Sequence, residues 1–584
     1  MWRMKNLVNR GENMDKIFSI NRKDVIPEET FKKIETILRE NNIELQIEKV
    51  KSITNKWFSC RVEYNGIIYV GANGKGITEE FSKASAYGEF MERLQGMYMV
   101  ELFSKNNSLL DNEDILNFIR NIKKTDVTDN EIIEFLNNNK QARSGMEYYN
   151  VFEKKVEKLP EWFIEKFSMS SGLCAGNTQE EALSQGICEI FERYIKMMIF
   201  TDKIKVPTIN KEDFKGSYSY EMINIIEEKG YHCLIKDCTL AGRFPVLGLI
   251  ILNDKKDRMI FALGSDLDID ICLQRCITEI FQGRDLDDEF AKNLTRIGFN
   301  VVFQGNNVDE CVINNTLYNN QGPCPIQLIS FTEDTDKKYK NAFLNEKSSN
   351  KEVFKTLLDI MKKNNLQVYF RDHSYLNFNC YRVYVKNISE TRYLSTIIKC
   401  AEKGNAIRNS ILNFGTLSTE DMLILCKNIC EYQKCIHFDS KRSILRAIPE
   451  LSGVDMFDDY LFLSMIYGYL SYYDYSLKYL LKYLNKNEYD LNSQKYLEIL
   501  VYLMGKFKRI DDDELKDICS NFKDDDNDYK KIIIDKNKDV IMSKIPKIDD
   551  RNNSKQLKKL EYFYLNYSQN NMIDRLTDMN LLIN

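Results

Sequence analysis

Two segments of the chain, YGEFMER at 87–93 and ICEIFER at 187–193, carry Glu-x-x-Glu-Arg in the same order. Slid against itself by 100 residues, the chain superposes Gly76, Thr78, Glu80, Glu89, Glu92 and Arg93 on Gly176, Thr178, Glu180, Glu189, Glu192 and Arg193. A third, degenerate copy places Arg275, Glu279 and Gln282 after the run RMIFALG. On a helix, positions i, i+4 and i+7 share one stripe. The stripes are Ser85/Glu89/Glu92, Gln185/Glu189/Glu192 and Arg275/Glu279/Gln282. Carboxylates gathered in one place repel and resist ionisation unless cations intervene. Magnesium suits them, because it takes oxygen ligands octahedrally and bridges them to phosphates. Arg93, Arg193, Arg275 and Arg284 add planar, permanently charged donors for phosphate oxygens. Carboxylate, metal and guanidinium together point to a nucleotide site. One copy alone would be an ordinary helical ion pair worth a few tenths of a kcal/mol; surface pairs have no reason to repeat in register.

Such helices need sheets to hold them. Residues 15 to about 425 alternate short apolar runs with helical periods, which predicts an α/β architecture with mixed sheets and repeated acidic helices. Strands are expected at 57–64, 66–72, 245–253, 258–264, 366–372 and 381–387, with GANGKG (71–76) and the glycine-containing segment around 171–176 as loops into the acidic helices. From 440 to 584 strand signals cease, and 461–484 and 493–507 carry apolar residues at helical spacing, predicting an all-helical, TPR-like domain. The Asp-, Lys- and Asn-rich stretch 508–555 reads as solvated loop or exposed helix between helical pairs. Residues 1–14 form an N-terminal extension, and Met14 could be the natural start.

Length and composition exclude other classes. With 584 residues, 43% of them hydrophobic, and a net charge of −5, the chain is a multidomain globular protein and no polybasic nucleic-acid binder. Its 15 cysteines lack paired spacing and suggest free thiols of a reducing compartment. The longest apolar run, Val246 to Leu252, is far too short for a membrane span, so a cytoplasmic protein is expected. GANGKG lacks the hydroxyl of a P-loop. Arg371-Asp372 with Asn377 imitates a kinase catalytic loop, but no DFG follows. Three histidines, none in the repeat, argue against di-iron chemistry. Cys426, Cys430, Cys435 and His437 have no common zinc spacing and read as buried thiols on a helix.

On NGKGITEEFSKASAYGEFMER (73–93), SSGLCAGNTQEEALSQGICEIFER (170–193) and LQRCITEIFQGR (273–284), the chain resembles the YcaO family, in particular its stand-alone bacterial members with a TPR-like domain. The resemblance runs from about Asn21 to the C-terminus. It implies an ATP fold in which Mg2+ ions bridge acidic helices to the triphosphate. Glu89, Glu92, Glu189, Glu192 and Glu279 would hold or surround Mg2+, with Glu92 also facing the nucleotide. Arg193 and Arg275 would contact phosphates, while Lys23, Thr30, Ser85 and Gln185 complete the nucleotide contacts. It further implies phosphorylation of a peptide-backbone amide oxygen, which makes the amide open to a nucleophile, and a homodimer. Stand-alone relatives serve as accessories to a radical enzyme that methylthiolates a small-subunit ribosomal protein, so a ribosomal protein or that enzyme is an expected partner. Azoline-forming members often end in Pro-x-Pro-x-Pro; this chain ends TDMNLLIN, which counts against azoline formation, and VKNISE (385–390) stands where a Pro-Gly segment is usual. A binding module with a degenerate nucleotide site is the remaining alternative.

Overall fold

The computed structural model describes residues 23–48, 54–64, 67–96, 109–123, 125–202, 206–287, 290–297, 348–436, 458–484, 528–533 and 535–545, with a few short pieces between. The expected helix at 493–507 lies outside the described residues. Contacts divide the chain between Ile397 and Ile398 into two compact units.

Among the described residues the first unit holds three sheets, and each supplies one strand that leads into one acidic helix. In the first, Leu45–Ile47 pairs with Phe58–Tyr64, which pairs with β1 (Ile67–Gly76). The third orders Lys155–Pro160, Gly145–Asn150, Val368–Asp372, Asn379–Val385 and, at its edge, β2 (Leu173–Gly176). In the second, Thr208–Ile209, His232–Asp237, Val246–Leu252 and β3 (Arg258–Ser265) run side by side, followed by Thr295–Arg296. The helices that follow are α1 (Glu79–Gln95), α2 (Gln179–Thr201) and α3 (Ile269–Ile280).

Every strand pairing among the described residues is antiparallel, so the sheets are not mixed in direction. Hairpins explain much of this: His232–Asp237, Val246–Leu252 and β3 follow one another through connections too short for a parallel crossover. The segments 71–76 and 173–176, expected as glycine loops, are strand.

The second sheet is covered on both faces, which is why Val246–Leu252 reads as an unbroken apolar run. Met259, Phe261 and Leu263 of β3 pack into one core with Leu183, Ile187, Ile190 and Phe191 of α2. The alternate residues Ile260 and Ala262 pack on the other side with Leu273, Cys276, Ile277 and Ile280 of α3. Period-two alternation therefore places α2 and α3 on opposite faces of one sheet.

The second unit is helical wherever it is described. Most of Leu394–Leu412 and all of Thr419–Ile436 belong to it. Asp459–Tyr469 and Tyr473–Leu484 pack as a pair through Ser464 and Ser476, each of whose hydroxyls donates to the other's carbonyl at 2.7 Å. Asp528–Ile533 and Lys538–Lys544, within the stretch expected as loop or exposed helix, are short helices. Among the described residues no helix is long and apolar enough to cross a membrane.

Candidate functional site

Each acidic helix starts from a cap that the repeat encodes. Thr78 and Thr178 accept from the backbone N–H of Phe81 and Glu181, both at 3.2 Å, and Asp268 does the same for Asp270 and Ile271 of α3. The repeated glycines set how closely strand and helix approach. A methyl at Gly76 would lie 2.8 Å from Ser82 N, and one at Gly176 would lie 2.8 Å from Ala182 N. The third copy matches the first at a shift of 190: a methyl at Gly74 would meet Ser82 O at 1.9 Å, and one at Gly264 would meet Cys272 O at 2.2 Å. In the second copy the roles reverse. Cys174 stands on the strand where Gly74 stands in the first, and Gly186 stands on the helix opposite it where the first has Ala86.

The three stripes meet. Arg93 pairs with Glu89, and Arg193 Nη2 lies 3.6 Å from Glu189 Oε1. Lys75 of β1 pairs with Glu279 of α3, and Gln282 Nε2, just past α3, donates to Asn73 O of β1 at 2.9 Å. The position of Lys75 corresponds, at the same shift of 190, to Ser265 of β3, whose N–H donates to Glu192 Oε1 of α2 at 2.8 Å. The strand of one strand–helix copy thus holds a carboxylate of another.

Their charges are felt in common. Burial raises the Glu92 carboxyl well above the ordinary range, and repulsion from Glu189 and Glu89 raises it further. Glu189 is pushed up to about 7, first by burial and then by Glu192, against the lowering pull of Arg193. Burial lowers the Lys75 ammonium, opposed by attraction from Glu192, Glu89 and Glu189.

Not all expected contacts fall at this centre. Arg275 does, since it sits 3.5 Å from Asp266 and its charge acts on Lys75, while Ser85 and Gln185 are half-buried on their stripes. Lys23 Nζ binds Glu181 Oε1 at 2.8 Å, and Thr30 accepts from Asn177 Nδ2 at 3.0 Å. Both mark the start of α2, about 12 Å along the axis from Glu189. Lys75, Ser265 and Asp266 were not singled out by sequence. Lys75 lay inside a segment taken for a loop, and the backbone of Ser265 leaves no trace in residue type.

Among the described residues no three His, Cys, Asp or Glu side chains stand ready to ligate a metal. The donors nevertheless fit Mg2+: they are hard carboxylate oxygens, and Glu279 Oε2, buried, has no hydrogen-bond donor beyond the Lys75 ion pair. The kinase-like Arg371 is a structural residue, buried in its strand against Glu161 at 3.3 Å.

Carboxylates and arginines delivered by three β–α units define an enzyme that handles phosphates through divalent cations. The chain belongs to the YcaO family: the family model described as "YcaO cyclodehydratase, ATP- and Mg2+-binding" matches residues 73–389. It is similar, at 26% identity over 427 residues, to the ribosomal protein S12 methylthiotransferase accessory factor YcaO of Escherichia coli, covering 67% of this chain and 70% of the relative. A protein of Haemophilus influenzae is 25% identical over 345 residues, 55% of this chain and 57% of its own length. The structure of YcaO from Methanopyrus kandleri bound with AMPPCP and Mg2+ aligns with a TM-score of 0.42 at 16% identity, over 63% of this chain and 92% of that one.

Proposed function

We propose that this chain is an ATP-dependent enzyme that activates a backbone amide of a protein or peptide by phosphorylating its oxygen. The amide oxygen attacks the γ-phosphorus, the bond to the bridging oxygen breaks, and ADP leaves. A nucleophile can then add to the amide carbon, with phosphate as the later leaving group. Resonance protects an amide from addition, and turning its oxygen into a phosphate ester removes that protection.

The observation that carries this reading is the meeting of three acidic stripes, each from a different sheet, around one ammonium. Glu89, Glu92, Glu189, Glu192 and Glu279 would hold Mg2+, which when bound supplies positive charge against the transferring phosphoryl group. Arg193 and Arg275 would face phosphate oxygens from permanently charged forks. Lys23 and Thr30 at the start of α2 would meet the nucleotide beyond the phosphates, with Ser85 and Gln185 between. Asp266 holds Arg275 in place.

The substrate class we favour is a cytoplasmic protein, after the accessory role in the Escherichia coli relative's name. Partners of that kind, a homodimer, and a recruiting role for the helical second unit belong to the same reading. The test is calorimetric titration of the full chain with AMPPCP, with and without Mg2+, alongside ADP release. Mg2+-dependent binding lost at least 100-fold in Glu189→Ala supports the proposal. A wild-type chain that neither binds nor hydrolyses ATP in Mg2+, with Glu189→Ala no different, ends it.

A further inference from the structure

The carboxylate centre already contains a cation of the chain's own. Lys75 sends its side chain from β1 across to Glu279 of α3, and the charges of Glu192 and Glu189 on α2 and Glu89 on α1 act on the same ammonium. The fold does not ask for a lysine at this strand position, since the equivalent residues of the other two units are Ala175 and Ser265. Its surroundings differ from an ordinary surface pair: Glu279 is only 6% exposed and has no other donor for the oxygen that faces Lys75. An ammonium is a compact single charge with three donors, whereas Mg2+ demands near-octahedral oxygen ligands at about 2.0–2.1 Å. Mg2+ taking the Glu279 oxygen that faces Lys75 would stand beside a like charge, which favours displacement of the ammonium from that oxygen.

We infer that Lys75 is the resident counter-cation of the carboxylate centre: it holds the three helices together before metal arrives, and it is displaced from Glu279 when Mg2+ enters. Resting on the proposed Mg2+ site, this makes Lys75 a positioning residue that competes with metal and keeps the helices from springing apart without it.

The experiment compares the full-length wild type with Lys75→Met and Lys75→Arg. Thermal unfolding is followed in EDTA, and binding of Mg2+ alone and of Mg2+ with AMPPCP is followed by calorimetry. Lys75→Met should unfold at a lower temperature than wild type in EDTA, regain that loss on adding Mg2+, and bind Mg2+ alone at least tenfold more tightly. Lys75→Arg, which keeps the charge, should hold wild-type stability in EDTA and bind Mg2+ no more tightly than wild type. If Lys75→Met does not fold, the arginine variant decides: tenfold tighter Mg2+ binding by it overturns the inference, and unchanged binding with retained stability supports it. A Lys75→Met chain as stable as wild type in EDTA and with unaltered Mg2+ affinity overturns the inference while leaving the Mg2+ site intact. Failure of the wild type to take Mg2+ even with AMPPCP overturns both.

Discussion

Gly74 lies on β1 against the first acidic helix and Gly88 lies within that helix, and alanine at the two positions should have opposite effects. A methyl at Gly74 would stand 1.9 Å from Ser82 O, 2.4 Å from Ala86 N and 2.7 Å from the Ala86 methyl, in a setting where contacts under 3.0 Å are essentially never made. Two of those atoms are helix backbone, so no rotamer change relieves them, and β1 must part from α1 by about 1 Å. Overpacking of this kind costs about 1–3 kcal/mol, and more when backbone is involved. The functional loss should be larger. A shift of about 1 Å in a positioned group costs about 100-fold in rate, and Mg2+ tolerates only small departures from its geometry. At Gly88 a methyl meets nothing within 4 Å, so Gly88→Ala should gain up to about 1 kcal/mol from helix propensity alone. Urea unfolding and Mg2+–AMPPCP calorimetry on both variants test the pair. Gly74→Ala should fold but lose about 2–4 kcal/mol and at least tenfold in nucleotide affinity. A Gly74→Ala chain indistinguishable from wild type, or one no worse than Gly88→Ala, would refute the claim that close strand–helix approach positions the carboxylates.

Away from the site, Glu390 lies 1% exposed and accepts from Tyr384 Oη, and burial pushes it from 4.5 to about 7. Because the folded form keeps its proton to higher pH than the unfolded chain, this stability is complete below about 4.5 and is lost as pH rises to about 7, a change of about 3 kcal/mol. Glu390→Gln should therefore gain on wild type by about that amount between pH 4.5 and 8 in denaturant titrations; parallel curves for the two would refute it. Arg371→Met should cost about 3–5 kcal/mol, since it strips a cation from buried Glu161, which also accepts from Tyr148 Oη at 2.6 Å. Removing both charges with Arg371→Met and Glu161→Met should recover only part of that loss, because Glu161 also faces buried Arg382 at 3.9 Å, and urea midpoints that add independently would contradict the coupling.

The strands and acidic helices were legible because their residue types follow burial. The continuous run 246–252 marks a strand covered twice, and the copy at a spacing of 100 exposes caps and stripes at once. The glycines misled, because glycine usually punctuates turns; here Gly74, Gly76 and Gly176 sit in extended strand to admit a helix backbone. The third copy looked degenerate by residue identity, yet Gly264, Cys276 and Glu279 stand where Gly74, Ala86 and Glu89 stand. Lys75 was hidden for a different reason. Its partner lies 204 residues away, and a lysine between two glycines gives no local sign of a tertiary role.

Since each sheet contributes a single acidic helix, the centre has no partial form. During synthesis the first two stripes leave the ribosome well ahead of Glu279, which trails Glu89 by 190 residues. A truncated or half-folded chain would thus own carboxylates but nowhere to seat a nucleotide. Ligand would reinforce only finished molecules, acting as an inspector of folding as well as a reagent.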